Sequence, residues 1–145
     1  MLQQTQVARV EPVFEAFMRR FPGVGSLADA SRAEVLRAWG RLGYPRRAVA
    51  LHRAAAEIVR VHDGVVPRDP SVLRTLPGIG DYTAAAVASL AFGEPVAAID
   101  TNVRRVWARV DLAAEADEVS ARVLGEAASA WLDRRRPSAW NQAVM

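Results

Sequence analysis

The chain has 145 residues, 51% hydrophobic and 24% charged, with a formal net charge of +3. That suits one compact domain, or one and part of another. Cysteine is absent, which excludes disulfides, thiolate catalysis and any zinc or iron–sulfur site held by cysteines of this chain. Every basic residue is arginine, so no lysine side chain can form a Schiff base. Arginine does make bidentate contacts to phosphate, so a nucleic-acid partner is permitted. No run approaches the ~20 apolar residues of a membrane span, and no basic-then-apolar leader opens the chain. The expected setting is the cytoplasm, without a membrane role.

Taken in order, the apolar residues follow a helical period almost throughout. Val7, Val10, Phe14, Phe17, Met18 and Phe21 fall at three- and four-residue steps, with Thr5 as the expected N-cap. "FPGVGS" stops that helix, and Ser31 with Glu34 forms a capping box ahead of "VLRAWGRL". Pro45 can take the first position of a long helix that ends near Gly64. His52 and His62 lie on this segment with no partner spacing for a metal. Asp69 and Pro70 open a short helix, "SVLRT". An alanine-rich helix then runs to Gly93, and "TNVRRVWARVDL", "DEVSARVLGEAASAWLD" and a last segment from Ser138 complete the series. No alternating strand pattern occurs. The fold class is all-α, a helical array with a helix–hairpin–helix motif and only part of a second helical domain. The expected division is residues 1–94 for the first module and 95–145 for the second.

The segment "TLPGIGDYTAAAVASL", Thr75 to Leu90, raises the functional question. Glycines allow positive φ and close backbone approach. With the first-turn amides of the next helix, Gly78, Ile79 and Gly80 would point N–H groups at an anion. A helix, a glycine hairpin and a second helix thus make a sequence-independent phosphate grip. The bland alternative is a plain helix–helix turn, which is how "FPGVG" at 21–25 reads. Asp100 follows twenty residues beyond Gly80, at the mouth of "DTNVRRV". A carboxylate there is suited to stabilising positive charge on a sugar, or to capping the helix it precedes.

"LPGIGDYTA" followed by "AIDTNVRRV" resembles the helix-hairpin-helix and Gly/Pro…Asp signature of the DNA glycosylase superfamily. "MLQQTQVARV", "FMRRFPGVGSLADAS", "RLGYPRRAVALHRAA" and "WNQAVM" extend the likeness to adenine DNA glycosylases of the MutY type. The resemblance implies removal of adenine mispaired with 8-oxoguanine or guanine in double-stranded DNA, by a monomer of bacterial type. It assigns the oxocarbenium-stabilising carboxylate to Asp100. Tyr82 stands where lyase-type relatives carry lysine, and Asn102 fits the adenine branch better than an endonuclease III-like enzyme. By the same resemblance Gln4 and Thr5 enter the minor groove, Leu42 and Tyr44 form a wedge beside the oxidised guanine, and Gln142 meets the adenine edge.

Two parts of the family pattern lie outside the chain. The glutamate that protonates adenine precedes the segment matching "MLQQTQ". The four cysteines of a [4Fe–4S] cluster follow the segment matching "WNQAVM". These residues are therefore expected to be a piece of a longer protein, inactive alone and poor at folding alone. A non-catalytic helix-hairpin-helix module is the competing expectation.

Overall fold

The structure, a computed structural model, describes residues 1 and 5–145. Those residues hold nine helices and no strand, as the nearly continuous helical period predicts. They are α1 (Val7–Arg20), α2 (Val24–Ala28), α3 (Arg32–Trp39), α4 (Pro45–His62), α5 (Pro70–Leu73), α6 (Asp81–Phe92), α7 (Thr101–Asp111), α8 (Ala121–Trp131) and α9 (Pro137–Val144).

Local chemistry sets most boundaries. The Ser31 hydroxyl accepts from Glu34 N–H at 3.2 Å, while Glu34 Oε2 accepts from Ser31 N–H at 2.9 Å. Both satisfy amides that the first turn leaves unpaired. Asp69 accepts from Ser71 N–H at 2.7 Å and starts α5. Thr5 is not the cap of α1: Gln6 holds that position without a side-chain bond. The Thr5 hydroxyl instead donates to the Leu42 carbonyl at 3.3 Å. Residues 117–119 lie outside α8, because Ser120 caps it through Val123 N–H.

The chain forms two compact units. The first comprises Met1–Pro67 with Leu76–Gly78, and the second Arg68–Thr75 with Ile79–Met145. This division differs from one at 94/95, since α6 packs against α5 and α9. In the first unit, α4 packs against α2 and α3 around Val10, Phe17, Phe21, Val35, Trp39 and Ala48. Phe17 meets Phe21 and Trp39 edge-on at 4.9 and 6.2 Å, the arrangement that ring quadrupoles favour.

In the second unit, α7 packs on α8 over Ala108, Val119 and Leu124. Asn141 of α9 is fully buried. Its Oδ1 accepts from Ala98 N–H at 2.7 Å, and its Nδ2 donates to Ser89 Oγ at 2.7 Å and to the Val96 and Pro137 carbonyls. One side chain thereby ties α6, α9 and the segment leading into α7. A buried amide so satisfied is favourable, but truncating it would strand several partners.

Candidate functional site

The hairpin begins with buried Leu76 and turns at Gly78, whose φ is +78°. A Cβ there would lie 2.6 Å from Ala50 Cβ on α4. Gly78 is thus required twice, by its left-handed backbone and by close approach. Gly80 makes no use of the positive φ that glycine allows. As N-cap of α6 it has φ −94° and ψ 180°, extended backbone open to any residue, with free space where a Cβ would stand. No side chain caps α6, and its first-turn amides, at the positive end of the helix dipole, have no hydrogen-bond acceptor among the described residues. "FPGVG" shares the letters but not the geometry. Neither of its glycines has positive φ, Gly25 lies inside α2, and the Ser26 hydroxyl accepts from Gly23 N–H at 3.1 Å.

Asp81 opens α6 and adds negative charge beside those amides. Arg74 Nε lies 2.9 Å from its Oδ1, in an exposed ion pair that offsets the charge and contributes about 0–1 kcal/mol.

A cleft of about 380 Å³ within the second unit is lined by Asp81, Tyr82, Ile99, Asp100, Arg104 and Leu124, among others. It brings together Tyr82 and Asp100, eighteen residues apart in sequence. Asp100 is indeed the N-cap of α7: Oδ1 accepts from Asn102 N–H and Val103 N–H, each at 2.8 Å. Its other oxygen, Oδ2, has no hydrogen-bond partner among the described residues. The cap therefore orients the carboxylate and leaves one oxygen available. The Tyr82 hydroxyl donates to Met145 Sδ at 3.2 Å. Arg104 donates to the Ala116 and Val119 carbonyls, a role in holding the α7–α8 connection.

The remaining expected residues divide. Asn102 Oδ1 accepts from Arg105 at 2.8 Å, and Gln142 donates to Ser138 Oγ at 3.1 Å on α9. Neither lines the cleft. Leu42 is 7% exposed and belongs to the first unit's core, so it supports the loop rather than projecting as a wedge. Tyr44 is 56% exposed, in a left-handed conformation (φ 48°, ψ 57°), with the Arg47 guanidinium 6.0 Å from its ring centre. Trp39 Nε1 donates to the Gly43 carbonyl at 2.9 Å and braces this loop. The Thr5–Leu42 bond places Thr5 at the same loop, 37 residues on. Gln4 lies outside the described residues.

Asn141 escaped the sequence reading. Its hold on Ala98 fixes the chain two residues before Asp100. The available signal was the spacing of Asn141, one turn after Pro137, which puts it on the same face of the helix as the residue that starts it.

No group of three or more His, Asp or Glu residues among the described residues could hold a metal. A [4Fe–4S] cluster needs cysteine ligands, and this chain offers none. Its own residues do not fit that group. No helix among the described residues is long and apolar enough to cross a membrane.

A glycine hairpin leading into a helix without a side-chain cap, followed by a cleft holding a capped aspartate, defines a helix-hairpin-helix protein with a charged site. The chain belongs to the HhH-GPD superfamily of base excision DNA repair proteins, whose pattern matches residues 1–127. It is 58% identical over 109 residues to the adenine DNA glycosylase of Mycolicibacterium smegmatis, covering 75% of this chain and 37% of that protein. It is 42% identical over 149 residues to the human adenine DNA glycosylase, covering 100% of this chain and 27% of that protein. The chain thus spans about a third of the length of these curated relatives. Among solved structures, a thermostable thymine-DNA glycosylase superposes with a TM-score of 0.89 at 26% identity, covering 99% of this chain and 67% of that one. A trapped endonuclease III–DNA covalent intermediate gives 0.83 at 25% identity, with the same coverage.

Proposed function

We propose that these residues are the helical core of a monofunctional DNA glycosylase that removes adenine opposite 8-oxoguanine or guanine. The observation that carries the reading is Asp100, capped through one oxygen and open at the other, in one cleft with Tyr82. The named activity of the bacterial and human relatives supports the choice of adenine.

In this reading the amides at Gly78, Ile79 and Gly80 and the first turn of α6 grip a DNA phosphate without reading sequence. Thr5 and Tyr44 meet the mismatch from the minor groove, with the aromatic ring stacking on a base. Leu42 holds the loop from below. Gln4 belongs to the same surface by the family pattern, and Gln142 contacts the edge of the extruded adenine. Breaking the N-glycosidic bond leaves positive charge on the sugar, which the Asp100 carboxylate stabilises. Tyr82 shapes that charge environment, and Asn102 holds Arg105 near the start of α7. Protonation of the leaving base falls to the glutamate that the family pattern places ahead of Met1. Water adds to C1′ of the sugar cation, and with Tyr82 rather than lysine in the first turn of α6 no lysine Schiff base forms there, so the product is an intact strand with an abasic site. The enzyme acts as a monomer on duplex DNA.

The test is single-turnover release of adenine from an A:8-oxoguanine duplex by the protein carrying that upstream glutamate. Release is expected, and Asp100→Asn should reduce it by about 10²–10³-fold, the usual loss on removing one electrostatic stabiliser of the transition state. Release of an oxidised pyrimidine but no adenine would favour the endonuclease III-like alternative. DNA binding without any release would leave a binding module.

A further inference from the structure

We propose that a groove on the first unit, lined by Arg32, Arg46 and Arg53, takes the phosphodiester backbone of DNA beside the hairpin. This rests on the reading above that the chain binds DNA. It adds a second phosphate-binding element to the amides of α6.

The groove has a volume of about 740 Å³, and its lining includes Gly78, Leu36 and Val49 besides the three arginines. No carboxylate is among the lining residues. None of the three arginines has a hydrogen-bond or ion-pair partner among the described residues. Other arginines are neutralised locally: Arg19 pairs with Glu15, Arg122 with Glu126, and Arg136 with Asp133. Three guanidinium groups converging without an anion repel one another, an arrangement suited to an anionic partner.

Arg46 and Arg53 stand seven residues apart on α4, two turns along one face. Their separation is ~10 Å at 1.5 Å per residue. That is about the axial length of three phosphate-to-phosphate steps on one DNA strand at ~3.4 Å each. Ala50 lies between them, and it is the residue against which Gly78 packs. The hairpin backbone therefore touches α4 midway between the two arginines. Arg32, the first residue of α3, closes the other wall. Leu36 and Val49 give an apolar floor for deoxyribose, while the guanidinium groups take phosphate oxygens bidentately. A single small anion could not engage both ends of this stripe.

The test is fluorescence anisotropy of the chain on an undamaged labelled duplex across a salt series. Replacing Arg32, Arg46 and Arg53 together by alanine should lower the slope of log K against log salt by about 2–3, at ~0.9 per phosphate contact. Lysine at the same positions should restore most of the slope but not all the affinity, since it lacks the bidentate fork. A charge-matched control replaces Arg19, Arg122 and Arg136 by alanine and should lower the slope by less than about 1. An unchanged slope in the groove variant overturns the proposal, and so does an equal fall in the control. Capture of an acidic peptide in the groove with the DNA slope unaltered overturns it in favour of a protein partner. Gly80→Glu separates the two readings. If it binds DNA as tightly as the wild type, the hairpin grip fails while the groove variant still decides the groove. A wild-type chain that circular dichroism shows to be folded, yet has no salt-dependent DNA binding, sinks both.

Discussion

Asp100 performs a structural task and, in the proposed chemistry, an electrostatic one. The two separate by substitution. Asparagine caps a helix about as well as aspartate, whereas alanine forfeits about 0.5–2 kcal/mol. Asp100→Asn should therefore keep the melting temperature of the wild type while losing adenine release. Asp100→Ala should lose both. If Asp100→Asn unfolds as readily as the alanine variant, the carboxylate's charge rather than its capping geometry holds α7. Asn141 is a second single-residue case. Asn141→Leu would strand Ala98 N–H, Ser89 Oγ and two carbonyls in the interior, and should cost upwards of about 3 kcal/mol in denaturant unfolding. Adenine release should fall with it, because Ala98 leads directly into Asp100.

Glu34 makes stability depend on acid. Ser31 N–H, the Ser31 hydroxyl and Arg20, in that order, hold its carboxyl below the usual glutamate range. A depressed folded-state pKa means the unfolded chain binds the proton more tightly. The contribution is present above the ordinary glutamate value and disappears as pH falls through the lower folded one. Glu34→Gln should flatten the loss of stability below about pH 5 and leave the curve near pH 7 parallel to the wild type. A parallel acid limb in both proteins would show that the box carries no net linkage.

The hairpin shows what one element demands of its residues. Gly78→Ala meets a left-handed backbone and a methyl group 2.6 Å away, and should destabilise by about 1–3 kcal/mol. Adding Ala50→Gly removes the steric part only, so partial recovery in a double-mutant cycle would apportion strain and clash. Gly80 behaves oppositely. Gly80→Asp puts a good N-cap on α6 in open space, so stability should hold or rise by a few tenths of a kcal/mol. The same carboxylate occupies the amides assigned to phosphate, and DNA affinity should fall. Stability and binding moving together at this position would contradict that assignment.

For the whole molecule, composition limits the chemistry more tightly than geometry does. Tyr82, rather than lysine, in the first turn of α6 predicts that DNA treated by the protein carrying the upstream glutamate stays intact on a denaturing gel until hot alkali cleaves the abasic site. Strand cleavage without alkali would require a nucleophile other than a lysine side chain of these 145 residues.

Helix positions, the Ser31–Glu34 box, the Pro45 and Asp69 starts and the absence of strands were legible in the sequence. Each depends on interactions within one or two turns. The family was legible for a related reason: the hairpin, Asp100 and their spacing form a local pattern. Tertiary packing decided the rest. Leu42 and Tyr44 are neighbours in sequence, yet one is buried and the other exposed, because Trp39 clamps Gly43 and Tyr44 turns left-handed. Thr5 left its expected cap for a carbonyl 37 residues away. Arg32, Arg46 and Arg53 meet across α3, α4 and the hairpin, and Asn141 reaches Ala98 from another helix. Such contacts depend on which helix faces close together, and periodicity shows that a face is apolar without naming what it packs against. Sequence alone therefore determined the helices, the hairpin and the exclusion of lysine and cysteine chemistry from these 145 residues. Only the folded chain decided which oxygen of Asp100 is left open, which arginines lack a carboxylate, and why Gly78, but not Gly80, must be glycine.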